Sequence, residues 1–347
     1  MALVPAAGSR LTKLGKFGSN PGALRGKIYV PHSFVRGAPL IVVLHGCTQT
    51  PESYDRGAGW SIAAEEHEFA LLFAEQQRKN NPNLCFNWFS DEDAGRDRGE
   101  AHSIRQMVAK MQSRFGTDPA RVFVTGLSAG GAMAAVMLAS YPEVFAGGGI
   151  IAGLPFGTAH SVPQAFDRMR GHGGPTGKGL SDLVRAASDH PGPWPTLSIW
   201  HGSGDMVVDP SNAQDLIDQW GALHGVAQSP NRIDEVAGYP HRVWCDGTGR
   251  EVIEEYSITG MAHGTPLDTL QGETGEIAGA HMFEAGISST RQLLAFWGLA
   301  AGMAATKRVR KSSPDGARHG RAWRGHRAES HIGRTIEQAL RTAGLLR

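Results

Sequence analysis

Strands that alternate with helices along most of the chain predict an α/β fold, with a mostly parallel sheet carrying helices on both faces. Three observations support this. Short β-branched apolar runs recur and close on turn residues: APLIVVLHG, ALLFAEQ, RVFVTG, GGIIAG, PTLSIWHG and EVIEEYSITG. Between and after them, residues 58–69, 99–115, 130–145, 211–223 and 288–299 carry apolar residues at helical spacing. Finally, 347 residues with 41% hydrophobic content suffice to bury a large core.

Residues 1–26 are rich in Gly, Ser and Lys and read as an N-terminal arm leading to a first strand at GKIYVP. The main domain spans 27–301. Within it, residues 154–195 are rich in Gly, Pro and His and break the strand–helix rhythm, so they read as a lid-like insertion. Residues 302–347 form a basic tail. From Lys307 onward, 11 Lys and Arg face 3 Asp and Glu, so a chain of net charge +1 divides into a mildly acidic body and a strongly basic end. Residues 302–330 have the composition of a disordered segment, and Ile332, Ile336 and Leu340 space a short amphipathic helix after it. Such a tail is a candidate to contact an anionic surface, a polymer granule or nucleic acid, or else to remain a solvated extension.

No apolar run is long enough to span a membrane. The opening MALVPAAGSRLTKLGKFG lacks the pattern of a secretory signal, which gives a cytoplasmic expectation with an extracellular alternative. Cys47, Cys85 and Cys245 are too few and too scattered for a disulfide framework or a zinc site, and no metal or cofactor motif is present. Cys47 and Cys85 are expected to lie close together and to pair under oxidising conditions.

The chemistry centres on Gly126-Leu127-Ser128-Ala129-Gly130, a G-x-S-x-G placed after a strand and before a helix. A sharp strand-to-helix turn forces strained dihedrals on the serine and leaves no room for side chains at the glycines. A plain glycine turn is the alternative. A serine hydroxyl needs a base to take its proton and an acid to orient that base. On this architecture those partners follow in the order acid, then histidine, on loops after later strands. Asp205 after PTLSIWHG is the candidate acid, with Asp209 read as a cap for the next helix. His263 in TGMAHG is the candidate base, and the other histidines read mostly as surface or tail residues. Backbone N–H groups of Ala129 and Cys47 are the candidate oxyanion donors, with a nucleophilic Cys47 as a weaker alternative. Phe86, Trp88 and Phe89 either line an acyl pocket, Trp88 and Phe89 being the substrate-binding candidates, or pack beneath the serine turn. Glu100 and His102 read as capping or surface groups.

Together, LHGCTQTPESY, CFNWF, RGEAHSIRQMV, VFVTGLSAGGAMAAVMLASYPEVFAG, IAGLPFG, WHGSGDMVVDPSNAQDLIDQW, YSITGMAHGTPL and GISSTRQLLAFWGL resemble the poly(3-hydroxybutyrate) depolymerase family of esterases, relatives of feruloyl and acetylxylan esterases. The match runs from about residue 27 to 299. The resemblance implies an α/β-hydrolase fold and a serine esterase acting through an acyl-enzyme, with Ser128, Asp205 and His263 as triad and Cys47 and Ala129 at the oxyanion. It implies an ester or polyester substrate and favours a 3-hydroxyalkanoate ester; separately, short-chain acyl esters and soluble hydroxybutyrate oligomers are expected to react best and crystalline polymer poorly. The alternatives are a feruloyl or acetylxylan esterase, or a non-catalytic binding protein on a hydrolase scaffold.

Overall fold

The computed structural model describes residues 9–270 and 274–300. In chain order they form β1 (Thr12–Lys13), β2 (Arg25–Tyr29), β3 (Leu40–Leu44), α1 (Pro51–Ala58), α2 (Trp60–His67), β4 (Ala70–Glu75), α3 (Asp91–Ala94), α4 (Gly99–Phe115), β5 (Val122–Leu127), α5 (Ala129–Ser140) and β6 (Gly147–Ile151). There follow α6 (Val162–Met169), α7 (Lys178–Ala187), β7 (Thr196–Gly202), α8 (Ser211–His224), β8 (Arg232–Val236), β9 (Tyr239–Cys245), β10 (Glu251–Ile258), β11 (Thr265–Leu267), β12 (Met282–Glu284) and α9 (Ser289–Phe296). The basic tail and its expected helix lie outside the described residues.

One sheet runs in the order β1-β2-β4-β3-β5-β6-β7-β10-β9-β8. Its centre, from β4 through β10, is parallel, while β1, β2, β8 and β9 pair antiparallel at the two ends. The central strands are apolar on both faces because helices cover both. Leu40, Val42 and Leu44 join the core beneath α4, α5, α7 and α8. The other face receives α1, α2 and α9, where Phe123 stacks on Trp297 at 4.8 Å. The glycines of β6 let these helices approach. A Cβ on Gly148 would strike Leu138 of α5 at 2.5 Å, and one on Gly149 would strike Leu293 of α9 at the same distance. Trp60, Trp200, Trp220 and Trp244 are fully buried, each contributing roughly 1.5–3 kcal/mol or more of burial energy. The sheet and its two helical layers form an α/β-hydrolase-type architecture.

Two expectations change, and one element is new. Part of the N-terminal arm is packed: Leu14 and Leu24 are buried, and β1 edges the sheet against β2. Residues 154–195 belong to a helical layer. Helix α7 buries Leu180 and Val184 against α5 and α8. Gln219 of α8 bonds to Phe156 and Leu180 backbone atoms, and Asp209 N donates to Met169 O at 2.7 Å. Lastly, the β8–β9 hairpin was not read from the sequence at all. Among the described residues, no helix is long and apolar enough to cross a membrane.

Candidate active site

Ser128 sits where β5 turns into α5, at φ 57° and ψ −120°, a strained region for a residue with a Cβ. The turn is sharp because backbones touch there. A Cβ on Gly126 would lie 2.4 Å from the Gly130 carbonyl, and one on Gly130 would lie 2.3 Å from Leu44 O. Ser128 N donates to Ile151 O at 2.9 Å, which fixes the turn to β6. Helix α5 begins at Ala129, so its first N–H groups and the positive end of its dipole lie at the serine.

Asp205 and His263 come from the loops after β7 and β10, neighbouring parallel strands. These loops are stitched together: Ser203 N donates to Ile258 O, Gly204 N to Met261 O, and Gly260 N to Ser203 Oγ at 2.8 Å. Asp205 Oδ1 accepts from Val207 N and Val208 N at 2.8 and 2.9 Å. Its Oδ2 accepts from His263 Nδ1 at 2.7 Å. Burial works against charge on this carboxyl, but hydrogen bonds from His201 and His263 outweigh it and hold the pKa well below the usual carboxylate range. An ionised Asp205 keeps the His263 proton on Nδ1 and leaves Nε2 with its lone pair. Ser128, Asp205 and His263 are 9%, 4% and 7% exposed. No hydrogen bond joins the Ser128 hydroxyl to His263 in this structure, and such contacts often tighten only when substrate is bound. Asp209 stands apart and accepts from Ser211 N at 2.9 Å at the start of α8.

His201 was passed over in the sequence. It ends β7, buried, and its Nε2 donates to Val208 O at 2.9 Å while lying 3.3 Å from Asp205 Oδ2. It thus holds the Asp205 turn closed. Its sequence signal was its place four residues before the acid.

The loop after β3 lies beside the serine: a Cβ on Gly46 would be 3.4 Å from Leu127 O. Ala129 N–H is a free helix start. Around Cys47, Gly46 N donates to Gln49 Oε1 and Thr48 N to Asn83 O, while Cys47 N–H has no acceptor among the described residues. His45 aims that N–H. Its Nδ1 donates to Gly46 O at 2.8 Å, and its Nε2 accepts from Gln76 N at 3.2 Å. Oxygen and N–H of the trans Gly46–Cys47 peptide point in opposite directions, so a ring that holds the oxygen sets the direction of the N–H. Burial drives the His45 pKa down to about 4, keeping the ring neutral.

Cys47 and Cys85 form a disulfide, Cα atoms 4.3 Å apart, so Cys47 offers no thiolate. Cys245 is the free cysteine among the described residues. Glu100, expected as a cap or surface group, is buried. It accepts from Asn87 N and Nδ2, both at 2.9 Å, and from Gln76. Burial, then Asp93, pushes its pKa up to about 8. It braces the 76–87 loop that carries the disulfide. His102 fits its surface reading, half-buried beside Asp97. Phe86 packs on His45 at 5.1 Å. Trp88 is 6% exposed and part of the core, with Phe89 half-buried against it at 5.6 Å. Phe89 is therefore the more open of the two aromatic candidates.

Comparison with known proteins gives the family and the fold. Residues 25–236 match the family model described as Esterase PHB depolymerase. The chain is 43% identical to poly(3-hydroxyalkanoate) depolymerase C of Paucimonas lemoignei over 291 residues, covering 83% of this chain and 70% of that protein. It is 29% identical to feruloyl esterase B of Talaromyces funiculosus, covering 74% of each. It is also 30% identical to an acetylxylan esterase of Coprinopsis cinerea, covering 76% of this chain and 71% of the other. The solved acetyl xylan esterase from Aspergillus awamori superposes with a TM-score of 0.71 at 24% identity, covering 84% of this chain and 99% of that one, and so shares the fold.

Proposed function

The chain belongs to the esterase PHB depolymerase family and is a carboxylic ester hydrolase, and from that premise we propose that Ser128, His263 and Asp205 are its catalytic triad. The carrying observation is the Asp205–His263 pair, bonded at 2.7 Å at the edge of the sheet where Ser128 stands in its strained turn. Ser128 Oγ attacks the acyl carbon as its proton passes to His263 Nε2. Asp205 steadies the resulting imidazolium through Nδ1–H. The oxyanion lies between the Cys47 and Ala129 N–H groups. His263 Nε2–H then protonates the leaving alcohol, and water repeats the sequence to free the acid and restore Ser128.

The proposed substrates are short-chain acyl esters and 3-hydroxyalkanoate esters, a reading supported by the relative at 43% identity. A feruloyl or acetylxylan ester is the second reading, supported by relatives at 29% and 30%. The Cys47–Cys85 disulfide favours an oxidising compartment over the cytoplasm. Initial rates on acetyl, butyryl and longer acyl esters, hydroxybutyrate oligomers, amorphous polyester, methyl ferulate and acetylated xylan test the substrate reading. Preference for the aromatic or sugar esters would replace the first reading by the second.

A further inference from the structure

Two residues outside the triad connect the serine side of the site to the histidine side. Gln49 is buried after the Gly46–Cys47 turn. Its Oε1 accepts from Gly46 N at 2.8 Å, and its Nε2 donates to Ala280 O at 3.4 Å across 231 residues of sequence. Ala280 belongs to a tight turn closed by Gly279 and Met282, which exchange backbone hydrogen bonds at 2.9 and 3.1 Å. The next residue in that turn, His281, grips the His263 segment at two points. Its Nδ1 donates to His263 O at 2.9 Å, and its backbone O accepts from Thr265 N at 2.8 Å. Gly264 lies under this grip, since a Cβ there would fall 2.7 Å from His281 O and 2.5 Å from the Phe283 ring. The two imidazoles meet edge to face at 5.9 Å. Pairing of Thr265 with Met282, in β11 and β12, extends the clasp.

We propose that Gln49 and His281 are positioning residues that hold the His263 loop in register with the Gly46–Cys47 turn. The proposal rests on the triad reading above. Neither residue needs to touch substrate. Gln49 is the strut between the two loops, and His281 converts the position of Ala280 into the position of the His263 backbone. Without them the base and the oxyanion donors drift independently. A misplacement of about 1 Å costs roughly 100-fold in rate. The effect belongs to the transition state, so it falls on kcat rather than on KM.

His281 has a φ of 58°, so the test uses replacements that accept a left-handed backbone. His281→Gly removes the donor, whereas His281→Asn supplies an amide N–H at the position of Nδ1. Steady-state kinetics on a p-nitrophenyl butyrate series, with thermal unfolding of each variant, reads the outcome. His281→Gly should lower kcat by about 10- to 100-fold with KM within about threefold, and His281→Asn should recover most of that loss. Gln49→Met, which removes the strut at both its Gly46 and its Ala280 end while leaving His281 in place, should lower kcat by about tenfold. Fluorophosphonate labelling of the wild type, abolished in Ser128→Ala, tests the nucleophile of the triad reading independently. Unlabelled wild type would overturn that reading. Labelled wild type with an unimpaired His281→Gly, a loss confined to KM, or no recovery in His281→Asn would overturn the positioning role alone.

Discussion

The carboxyl edge of the sheet and its antiparallel end hold the same residue types in different bonding. At the edge, Asp205 meets one nitrogen of His263 and the other nitrogen has no partner among the described residues, and the candidate serine stands on a strained turn at the end of another parallel strand. At the far end, His241 is closed on both sides, by Asp234 at Nδ1 (2.7 Å) and Glu254 at Nε2 (3.1 Å). Ser198, on the parallel strand β7, completes this cluster: it donates to Glu254 at 2.6 Å and accepts from Trp200 Nε1 at 2.8 Å. The His241 ring lies 4.2 Å from Tyr256, which stacks on Trp200 at 3.8 Å. A serine, a histidine and a carboxylate are thus present twice. What separates a candidate nucleophile from a buried brace is an unfilled acceptor on the histidine and a strained backbone turn that leaves the hydroxyl without a hydrogen-bond partner among the described residues.

The largest expected effect breaks the comparison at its serines. Ser128→Ala should reduce ester turnover by about 10⁴-fold or more while unfolding like the wild type. Ser198→Ala should keep activity within about threefold but lose ~1–3 kcal/mol of stability, because Trp200 Nε1 and Glu254 each lose a buried partner. Urea unfolding and p-nitrophenyl butyrate rates on both variants decide it, and activity lost equally at the two sites would erase the distinction.

Next in size is the choice of acid. Asp205→Asn should lose roughly 10³–10⁴ in kcat, since a neutral amide no longer holds the proton on Nδ1 of His263. Asp209→Asn should stay within about tenfold, because its hydrogen bond serves the start of α8. The reverse pattern of rates would transfer the role to Asp209.

The strands of the central sheet were legible because two covered faces demand unbroken apolar runs, and the Ser128 elbow was legible because its glycines are local. What failed to show was non-local or atypical. Strand β8, RIDEV, is almost wholly exposed at the sheet end, so no buried face marks it. Residues 154–195 read as a lid because their Gly and Pro content hid α7, whose partners on α5 and α8 lie far off in sequence. Glu100 looked like a surface group at a helix start, and only the folded 76–87 loop supplies the donors that let it be buried. Gln49 and His201 lie inside stretches that carry the resemblance, but neither they nor His281 have a residue pattern that announces a role. Their roles are contacts made by backbone atoms that meet only in the fold.

The smallest expected effect separates the two clusters by the sign of a pH dependence, carried by His241 in one and by Asp205 in the other. Burial opposes charge on His241, but Glu254 and Asp234 outweigh it and raise the pKa above the ordinary histidine value. The folded protein therefore holds a proton that the unfolded chain releases above about pH 6.5. That stabilisation is complete below the unfolded pKa and is lost as pH rises through the folded one. Asp205 has the opposite sign: its carboxyl is depressed, so its contribution is present above the unfolded carboxylate pKa and is lost as pH falls. Asp234→Asn isolates the first case, since an amide oxygen still accepts from His241 Nδ1 while the charge is gone. Asp234 is 42% exposed and also bridges to Arg232 at 2.9 Å, so solvent screening keeps the expected loss to ~1 kcal/mol or less. That loss should be greatest below the ordinary histidine pKa of about 6.5 and should shrink as pH rises through the raised folded pKa of His241, with ester turnover equal to that of the wild type at each pH. Urea unfolding of both proteins at pH 6, 7.5 and 9 measures the gap. A gap that widened with pH would mean that His241 is neutral in the fold, and that the far cluster resembles the candidate site more closely than its bonding indicates.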